Sequence, residues 1–153
     1  MRVEIRTTPF DPWQELAAHQ QQMDDMQGKH GAATVFVGTM RDFNAGEKVQ
    51  GMFLEHYPGM TERHLETICK EAMQRWDLLD ALIIHRAGAM QPGDPIVLVA
   101  SWAAHRGPAF AASRYLIEEL KSRAPFWKKE RLAQESRWVT HNTPANSPTS
   151  LNK

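Results

Sequence analysis

The sequence has little of the chemistry that builds disulfide frameworks, metal clusters or membrane spans. Cys69 is the single cysteine among 153 residues, which excludes an internal disulfide and a thiolate metal cluster. No window approaches the ~20 consecutive apolar residues that a membrane-spanning helix needs. The segment from Met1 to Arg6 has no apolar run typical of a signal peptide. We therefore expect a soluble, cytoplasmic protein with no membrane partner.

The chain also lacks an excess of charge of either sign. Its 18 Lys and Arg residues balance 18 Asp and Glu residues, so the formal net charge is zero. A neutral chain is not expected to coat nucleic acid or an anionic membrane surface, because both need a surplus of basic residues.

Several catalytic motifs are missing too. The sequence contains no G-x-G-x-x-G, no Walker loop and no G-x-S-x-G. Its seven histidines show no H-E-x-x-H or other metal spacing. We therefore expect no nucleotide cofactor, no metal and no serine nucleophile. Cys69 lies in the apolar stripe of a predicted helix, which favours a core thiol over a nucleophile.

The residues that are present predict one globular domain with a short tail. A hydrophobic share of 42% and a charged share of 24% are typical of globular proteins, and a chain of this length normally forms one domain. We assign residues 1–141 to that domain. Residues 142–153 are rich in Pro, Ser, Asn and Thr, and we expect them to form a polar, mobile tail.

Hydrophobic periodicity predicts about three helices among paired strands. The helices are expected from the Asp11-Pro12 start to about Met26, after an N-cap at Thr61, and from Pro108 to just before Pro125. The strands are expected at 3–6, 32–39, 49–57, 78–85, 95–102, 126–132 and 137–140. The strands 32–39 and 49–57 are predicted to pair as a hairpin, as are the last two. This order favours an α+β fold with a mostly antiparallel or mixed sheet.

The segment His105-Arg106-Gly107-Pro108 is a candidate anion site, because it lies where an apolar strand meets a predicted helix. A helix N-terminus presents unpaired N–H groups and partial positive charge. A histidine and an arginine there add donors for a phosphate or carboxylate. The alternative is that Arg106 is a solvated loop residue and His105 a structural one.

Residues 121–131 form the strongest local charge excess, with five basic residues and one acidic residue. Aromatic neighbours can exclude water from Lys121 or Lys128 and lower its pKa, which makes a usable acid, base or nucleophile. In the strand predicted at 126–132, successive side chains point to opposite faces, so that Phe126, Lys128 and Glu130 alternate with Trp127, Lys129 and Arg131. The same run could bind single-stranded nucleic acid. It could also be a solvated face, since Glu118 can pair with Lys121 on the helix.

Arg41 is a third candidate, in the loop between two predicted strands. A loop arginine beside glycine-containing turns is well placed to reach a ligand. Pairing with Asp42 is the structural alternative.

Taken together, five segments resemble the large, catalytic subunit of molybdopterin synthase. The matching blocks are Phe36-Val37-Gly38-Thr39-Met40-Arg41, Leu54-Glu55-His56-Tyr57-Pro58-Gly59-Met60-Thr61, Ile84-His85-Arg86-Ala87-Gly88, Ala104-His105-Arg106 and Leu120-Lys121-Ser122-Arg123-Ala124-Pro125-Phe126-Trp127-Lys128. They occur in the family's order, and the resemblance covers about residues 3–140.

The resemblance implies an enzyme, a sulfurtransferase of molybdenum cofactor biosynthesis with an α/β-hammerhead fold. Its substrate is cyclic pyranopterin monophosphate, which it converts into the dithiolene of molybdopterin. The sulfur comes from the C-terminal thiocarboxylate of a small ubiquitin-like subunit. Two large subunits form a homodimer and each holds one small subunit, which makes a heterotetramer.

The resemblance also implies roles for particular residues. Lys121 and Lys128 match the family's catalytic lysines. Arg41, His105 and Arg106 match its pocket for the phosphate and pterin, and Phe36 lines that pocket. Some members place an arginine after the last tryptophan that reaches the neighbouring protomer, where this chain has His141 and Asn142; Arg137 is a candidate to compensate.

Two other functions stay open at this point. A degenerate relative could bind a ubiquitin-like C-terminus without chemistry, although the five polar residues that match the family's site, Lys121, Lys128, Arg41, His105 and Arg106, favour an enzyme. An RNA-binding protein could use residues 121–131, and it would bind oligonucleotides in a strongly salt-dependent way.

Overall fold

The α+β organisation predicted from the sequence is confirmed by a computed structural model, which describes residues 1–133 and 135–140. The predicted tail at 142–153 lies outside the described residues. The helices are α1 (Pro12–Gln21), α2 (Met60–Arg75) and α3 (Arg106–Arg123), with a short 3₁₀ turn at Asp24–Met26. The strands are β1 (Arg2–Arg6), β2 (Ala32–Thr39), β3 (Phe43–Asn44), β4 (Glu47–His56), β5 (Asp80–Arg86), β6 (Gly88–Met90), β7 (Pro95–Ala103), β8 (Phe126–Leu132) and β9 (Ser136–Val139).

The first sheet has the strand order β1-β5-β7-β2 and is mixed. β1 pairs with β5 in parallel, while β7 pairs with β5 and β2 in antiparallel register. Every residue of β5 is buried, because successive side chains enter two different cores. Ile83 packs with the apolar faces of α2 and α3 on one side, whereas Leu82 and Ile84 pack with Phe10 and Trp102 on the side of α1.

The second sheet is antiparallel and has the order β3-β4-β8-β9, with β6 also paired to β4. A smaller core that includes Met52 and Leu54 lies on its inner side. Along β8, Phe126, Lys128 and Glu130 turn inward while the intervening residues are exposed. The alternation predicted for this strand is therefore confirmed, and it directs Lys128 toward the first sheet.

The predicted hairpin between β2 and β4 is wrong. β2 pairs along its whole length with β7, and β4 pairs with β8. The Asn44-Ala45-Gly46 turn instead closes a tight hairpin between β3 and β4, with positive φ angles of 52° at Ala45 and 78° at Gly46. Two consecutive positive φ angles match the twist of an antiparallel pair. This local hairpin moves the chain from the first sheet to the second.

The end of α1 and the start of α3 differ from the prediction. α1 ends at Gln21 rather than near Met26, where the chain forms the 3₁₀ turn. α3 begins at Arg106 rather than Pro108, because proline is tolerated within a first helical turn.

Thr61 lies inside α2 and is not its cap. The cap position belongs to Gly59, whose N–H donates to the Glu62 carboxylate over 2.5 Å. The buried Thr61 hydroxyl accepts a hydrogen bond from the Tyr57 N–H at 2.9 Å and donates one to the Pro125 carbonyl at 3.1 Å. It therefore joins the start of α2 to the corner that separates α3 from β8.

We expect Thr61→Val to lower the free energy of unfolding by about 1–3 kcal/mol, because it removes two hydrogen bonds that each contribute about 0.5–1.5 kcal/mol. Thr61→Ser, which keeps the hydroxyl, should retain most of the stability. The measurement is urea unfolding followed by circular dichroism.

The matched control is Thr67→Val on the exposed side of α2, where the hydroxyl donates to the Arg63 carbonyl. It should change stability by no more than ~0.5 kcal/mol. Equal losses for the two valine variants would contradict the role given to Thr61.

Candidate active site

Lys121 and Lys128 are brought together by the corner between α3 and β8. Lys121 lies in the last turn of α3, and two residues, Ala124 and Pro125, separate that helix from β8. Lys128 lies on the inward face of β8. Both side chains therefore face the space between the two sheets.

Two pockets open on either side of these lysines. The Arg41 pocket, of about 270 Å³, includes Phe36, Arg41, Asn44 and Glu130 in its lining. The Trp127 pocket, of about 260 Å³, includes Leu54, Ala124, Phe126, Trp127, Val139 and Thr140. Six residues line both pockets, and we call them the shared wall: Met52, His85, Ile96, Leu120, Lys121 and Lys128. A ligand in either pocket can thus reach the same two amino groups.

The pKa of each lysine lies below its ordinary value. Loss of solvent in the concave site is the main cause for Lys121, and the positive charges of Lys128 and Arg41 add to it against the opposing effect of Glu118. For Lys128 the main cause is again burial, opposed by Glu130 and reinforced by Arg41. Each amino group can therefore lose its proton closer to neutral pH than an ordinary lysine can.

Glu130 is a buried carboxylate that lines the Arg41 pocket. The sequence predicted its position on the same face of the strand as Lys128, but it did not predict a role in the site. It accepts a hydrogen bond from the Asn44 amide at 2.7 Å and lies 3.9 Å from the Lys128 amino group. Arg137 also approaches it, at 3.4 Å, and pairs with Glu47. Arg137 is thus engaged within its own chain, while His141 and Asn142 lie outside the described residues.

His85 is a second site residue that sequence reasoning missed, although it lies in one of the family-like blocks. It is buried in the shared wall, and its ring stacks on Phe126 with centroids 4.0 Å apart. Its Nδ1 lies 2.8 Å from the Arg86 carbonyl oxygen. Burial lowers the pKa of His85 to about 4, so the ring is neutral at physiological pH.

His105 and Arg106 lie away from the other predicted site residues. Both are exposed at the start of α3, and neither lines the two pockets around Lys121. Lys121 follows Arg106 by fifteen positions along α3, which corresponds to ~22 Å along the helix axis. The structure therefore brings together Phe36, Arg41, Lys121 and Lys128 within one chain. The substrate-binding role of His105 and Arg106 stays a prediction.

The basic run at 121–131 does not form one continuous surface. Arg123 pairs with Glu71 at 2.6 Å and Glu119 at 3.0 Å on the helical layer. Lys129 and Arg131 lie on the outer face of the second sheet, opposite to Lys128. The positive charges thus point in three directions. They do not form the continuous basic groove that binds the backbone of a single-stranded nucleic acid.

Within the described part of the chain, no group of three or more His, Cys, Asp or Glu side chains is placed to hold a metal ion. None of its helices has the length and apolar character needed to cross a bilayer. Cys69 is fully buried in the core between α2, α3 and the first sheet, as predicted, and burial raises the pKa of its thiol to about 12.

Comparison with known proteins gives one consistent family. A family model described as MoaE protein matches residues 5–123. The chain is 51% identical over 137 residues to the molybdopterin synthase catalytic subunit of Ralstonia nicotianae, covering 90% of this chain and 76% of that protein. It is also 51% identical over 140 residues to the Pseudomonas aeruginosa protein of the same name, covering 91% and 90%.

Solved structures agree with this result. The crystal structure of molybdopterin synthase from Staphylococcus aureus matches with a TM-score of 0.77 and 32% identity, over 90% of this chain and 96% of that chain. A chain from the complex of subunits 1 and 2 of the molybdopterin-converting factor of Helicobacter pylori matches with a TM-score of 0.74 over 90% of each chain. At 22% identity, the second likeness is one of fold.

The electrostatic coupling in the site predicts how its pKa values respond to substitution. Lys128→Met should raise the pKa of Lys121, because it removes a nearby positive charge and keeps an apolar side chain of similar length. Glu130→Gln should lower the pKa of Lys128, because it removes the opposing negative charge. Both shifts can be measured by NMR titration of lysine side chains labelled with ¹³C and ¹⁵N.

The control for this titration is Lys70→Met, which removes an exposed lysine of α2. It should leave the titration of Lys121 unchanged. A Lys121 pKa that is the same in wild type and Lys128→Met would show that the two amino groups do not share one site.

Proposed function

We propose a mechanism for the site of this chain, which belongs to the MoaE family, the catalytic subunits of molybdopterin synthase. The reaction is a sulfur transfer that forms the dithiolene of molybdopterin from cyclic pyranopterin monophosphate. The sulfur donor is the C-terminal thiocarboxylate of a small ubiquitin-like subunit. We place this reaction in the cytoplasm.

The observation that supports this mechanism is the pair of lysines in the wall shared by the two pockets. A thiocarboxylate and a cyclic phosphate are both anions, so a site for both needs several positive charges close together. Lys121, Lys128 and Arg41 supply them where solvent is partly excluded and electrostatic attraction is strong.

We assign the Arg41 pocket to the pterin substrate. The Arg41 guanidinium suits the phosphate, because its planar set of N–H donors matches oxyanions. The ring of Phe36 in the same lining offers an apolar surface to the flat pterin.

We assign the Trp127 pocket to the C-terminal tail of the small subunit. Its lining includes the apolar side chains of Leu54, Phe126 and Val139, and it ends at the two lysines. An extended tail can lie against these side chains while its terminal thiocarboxylate meets the amino groups. The Helicobacter pylori complex of two subunits supports a partner of this kind.

Lys121 and Lys128 then have two tasks during each transfer. In the protonated state they hold the thiocarboxylate while its sulfur forms a bond to a side-chain carbon of the pterin. A carbon–oxygen bond at that carbon breaks in the same exchange, and a lysine ammonium group gives the departing oxygen its proton. Water must next cleave the bond between that sulfur and the tail's carbonyl carbon, which releases the tail as a carboxylate. A lysine with a lowered pKa can give and recover the protons that these steps require. Neither a metal nor an organic cofactor takes part in these steps.

We expect Lys121→Ala to reduce molybdopterin formation by about a hundredfold or more, since loss of a positioned proton-transfer group typically costs that much. Lys128→Ala should also reduce the rate strongly. The assay mixes the folded variant with thiocarboxylated small subunit and cyclic pyranopterin monophosphate, and it measures molybdopterin formed in single turnovers.

Lys70→Ala is the matched control and should react like wild type. Full rates in both folded active-site variants would show that the lysine assignment is wrong. A wild-type chain that docks the small subunit but shows no affinity for the precursor would instead be a binding module without chemistry.

We further propose that the site is completed by a second copy of this chain. His105 and Arg106 cannot reach Lys121 within one protomer, because the length of α3 lies between them. β2 is an edge strand with unpaired backbone groups, and the side chain of Phe110 on α3 is 66% exposed. A surface groove between β2 and α3 has Phe36 and Ile117 in common with the lining of the Arg41 pocket.

A twofold contact through this groove explains how distant residues can meet. We place the twofold axis perpendicular to α3, so that two α3 helices that cross near Phe110 and Ile117 run antiparallel. The start of one helix then lies near the end of the other. His105 and Arg106 of one protomer are thereby directed toward the Arg41 pocket of its partner.

Mixed dimers test this arrangement directly. Lys121→Ala and Arg106→Ala homodimers should each be nearly inactive. If sites are shared, a heterodimer of the two variants has one intact site, so random mixing should restore about a quarter of the wild-type rate. No recovery in verified heterodimers would place the complete site within one protomer.

A further inference from the structure

His85 occupies the centre of the site without a role in the proposed sulfur transfer. Only 5% of its surface is exposed, and its side chain lines both the Arg41 pocket and the Trp127 pocket. Packing alone does not account for a buried histidine that lines the same two pockets as Lys121 and Lys128. The inference drawn from it rests on the proposed function and concerns the same site.

The ring of His85 is held in one orientation. Phe126 stacks on one of its faces with an interplanar angle of 20°. The carbonyl oxygen of Arg86 can only accept a hydrogen bond, so Nδ1 must carry the hydrogen and donate it over 2.8 Å. In the neutral ring Nε2 is then the nitrogen with the lone pair. It lies on the edge of the ring away from the strand backbone.

The charged groups around His85 favour the neutral form. The positive charge of Lys121 approaches from α3, and His56 approaches from β4. Burial is the largest cause and outweighs the opposing effect of the hydrogen bond to the Arg86 carbonyl, so that the pKa of His85 falls to about 4. The pKa of Lys121 is lowered by burial and by the positive charges of Lys128 and Arg41, and it is raised by the negative charge of Glu118. The wall therefore contains a neutral acceptor beside an ammonium group that is surrounded by other positive charges.

We propose that His85 is a positioning residue for Lys121: its Nε2 accepts a hydrogen bond from the Lys121 ammonium group and holds it in the wall between the pockets. An ammonium on a flexible four-carbon stem needs such a partner to keep one position. Glu130 lies near Lys128 and serves as a carboxylate neighbour there. His85 supplies Lys121 with an acceptor that carries no charge, so Lys121 keeps its full attraction for an anionic ligand.

Replacing the ring tests this role through activity. His85→Phe keeps a ring that can stack on Phe126 but removes both nitrogens, and we expect kcat to fall about tenfold or more while KM changes little. His85→Gln retains an acceptor at the position of Nε2 and should recover much of the rate. The exposed His64→Phe is the matched control and should react like wild type.

The pH profile separates positioning from packing. An accepted hydrogen bond stabilises the charged amine, so its loss should lower the pKa of Lys121 further. The alkaline limb of kcat should therefore move to lower pH in His85→Phe and return toward the wild-type position in His85→Gln. A folded His85→Phe with wild-type kcat and an unmoved alkaline limb would overturn the proposal.

A spectroscopic test needs neither substrate nor a folded His85 variant. In ¹⁵N-histidine spectra of the wild-type chain, Nδ1 of His85 should be protonated and Nε2 should have the shift of a hydrogen-bonded acceptor. Lys121→Met should move the Nε2 resonance toward that of a free acceptor and leave Nδ1 in place. A protonated Nε2, or an Nε2 resonance that ignores Lys121→Met, would overturn the proposal. Because this readout is independent of turnover, it stays decisive even if the chain fails to form molybdopterin.

Discussion

The corner between α3 and β8 is the constraint on which the site depends. Lys121 precedes this corner and Lys128 follows it, so small changes in its geometry alter the separation of the two amino groups. The Thr61 hydroxyl ties the Pro125 carbonyl to the start of α2, and α2 packs on the first sheet. A chain of contacts thus connects the main core to the reacting groups. Rigid support of this kind is what keeps functional side chains in place.

Collecting cations at one point has an electrostatic cost that the surroundings offset only in part. Burial is the main cause of the lowered pKa values of Lys121 and Lys128, and the positive charge of Arg41 lowers both further. Glu118 opposes the shift of Lys121, and Glu130 opposes that of Lys128. The remaining surplus of positive charge is what two anionic ligands would neutralise on binding. The repulsion among these cations is therefore greatest in the free protein and is relieved when the anionic ligands bind.

Local patterns predicted some elements well and others poorly. The alternation in β8 and the apolar stripe of α2 correctly located Lys128 and Cys69, since both depend on near neighbours in the chain. The pairing of β2 with β7 escaped prediction, because it joins strands far apart in sequence and a two-residue turn at Ala45 and Gly46 diverts the chain first. His85 was missed for a related reason. Its neighbours come from α3, β4 and β8, so the residues next to His85 in the sequence contain no pattern that predicts them.

The burial of Cys69 has a consequence for chemical selectivity. A thiolate can attack the carbonyl of a thiocarboxylate, which would form a thioester and release the sulfur as hydrogen sulfide. Cys69 is protonated at physiological pH and lies on the buried face of α2, so it offers no competing nucleophile. Among the residues described, this chain presents reactive sulfur with amines and a guanidinium but with no accessible thiol. No thiol among the described residues can therefore take the acyl group of the tail before its sulfur reaches the substrate.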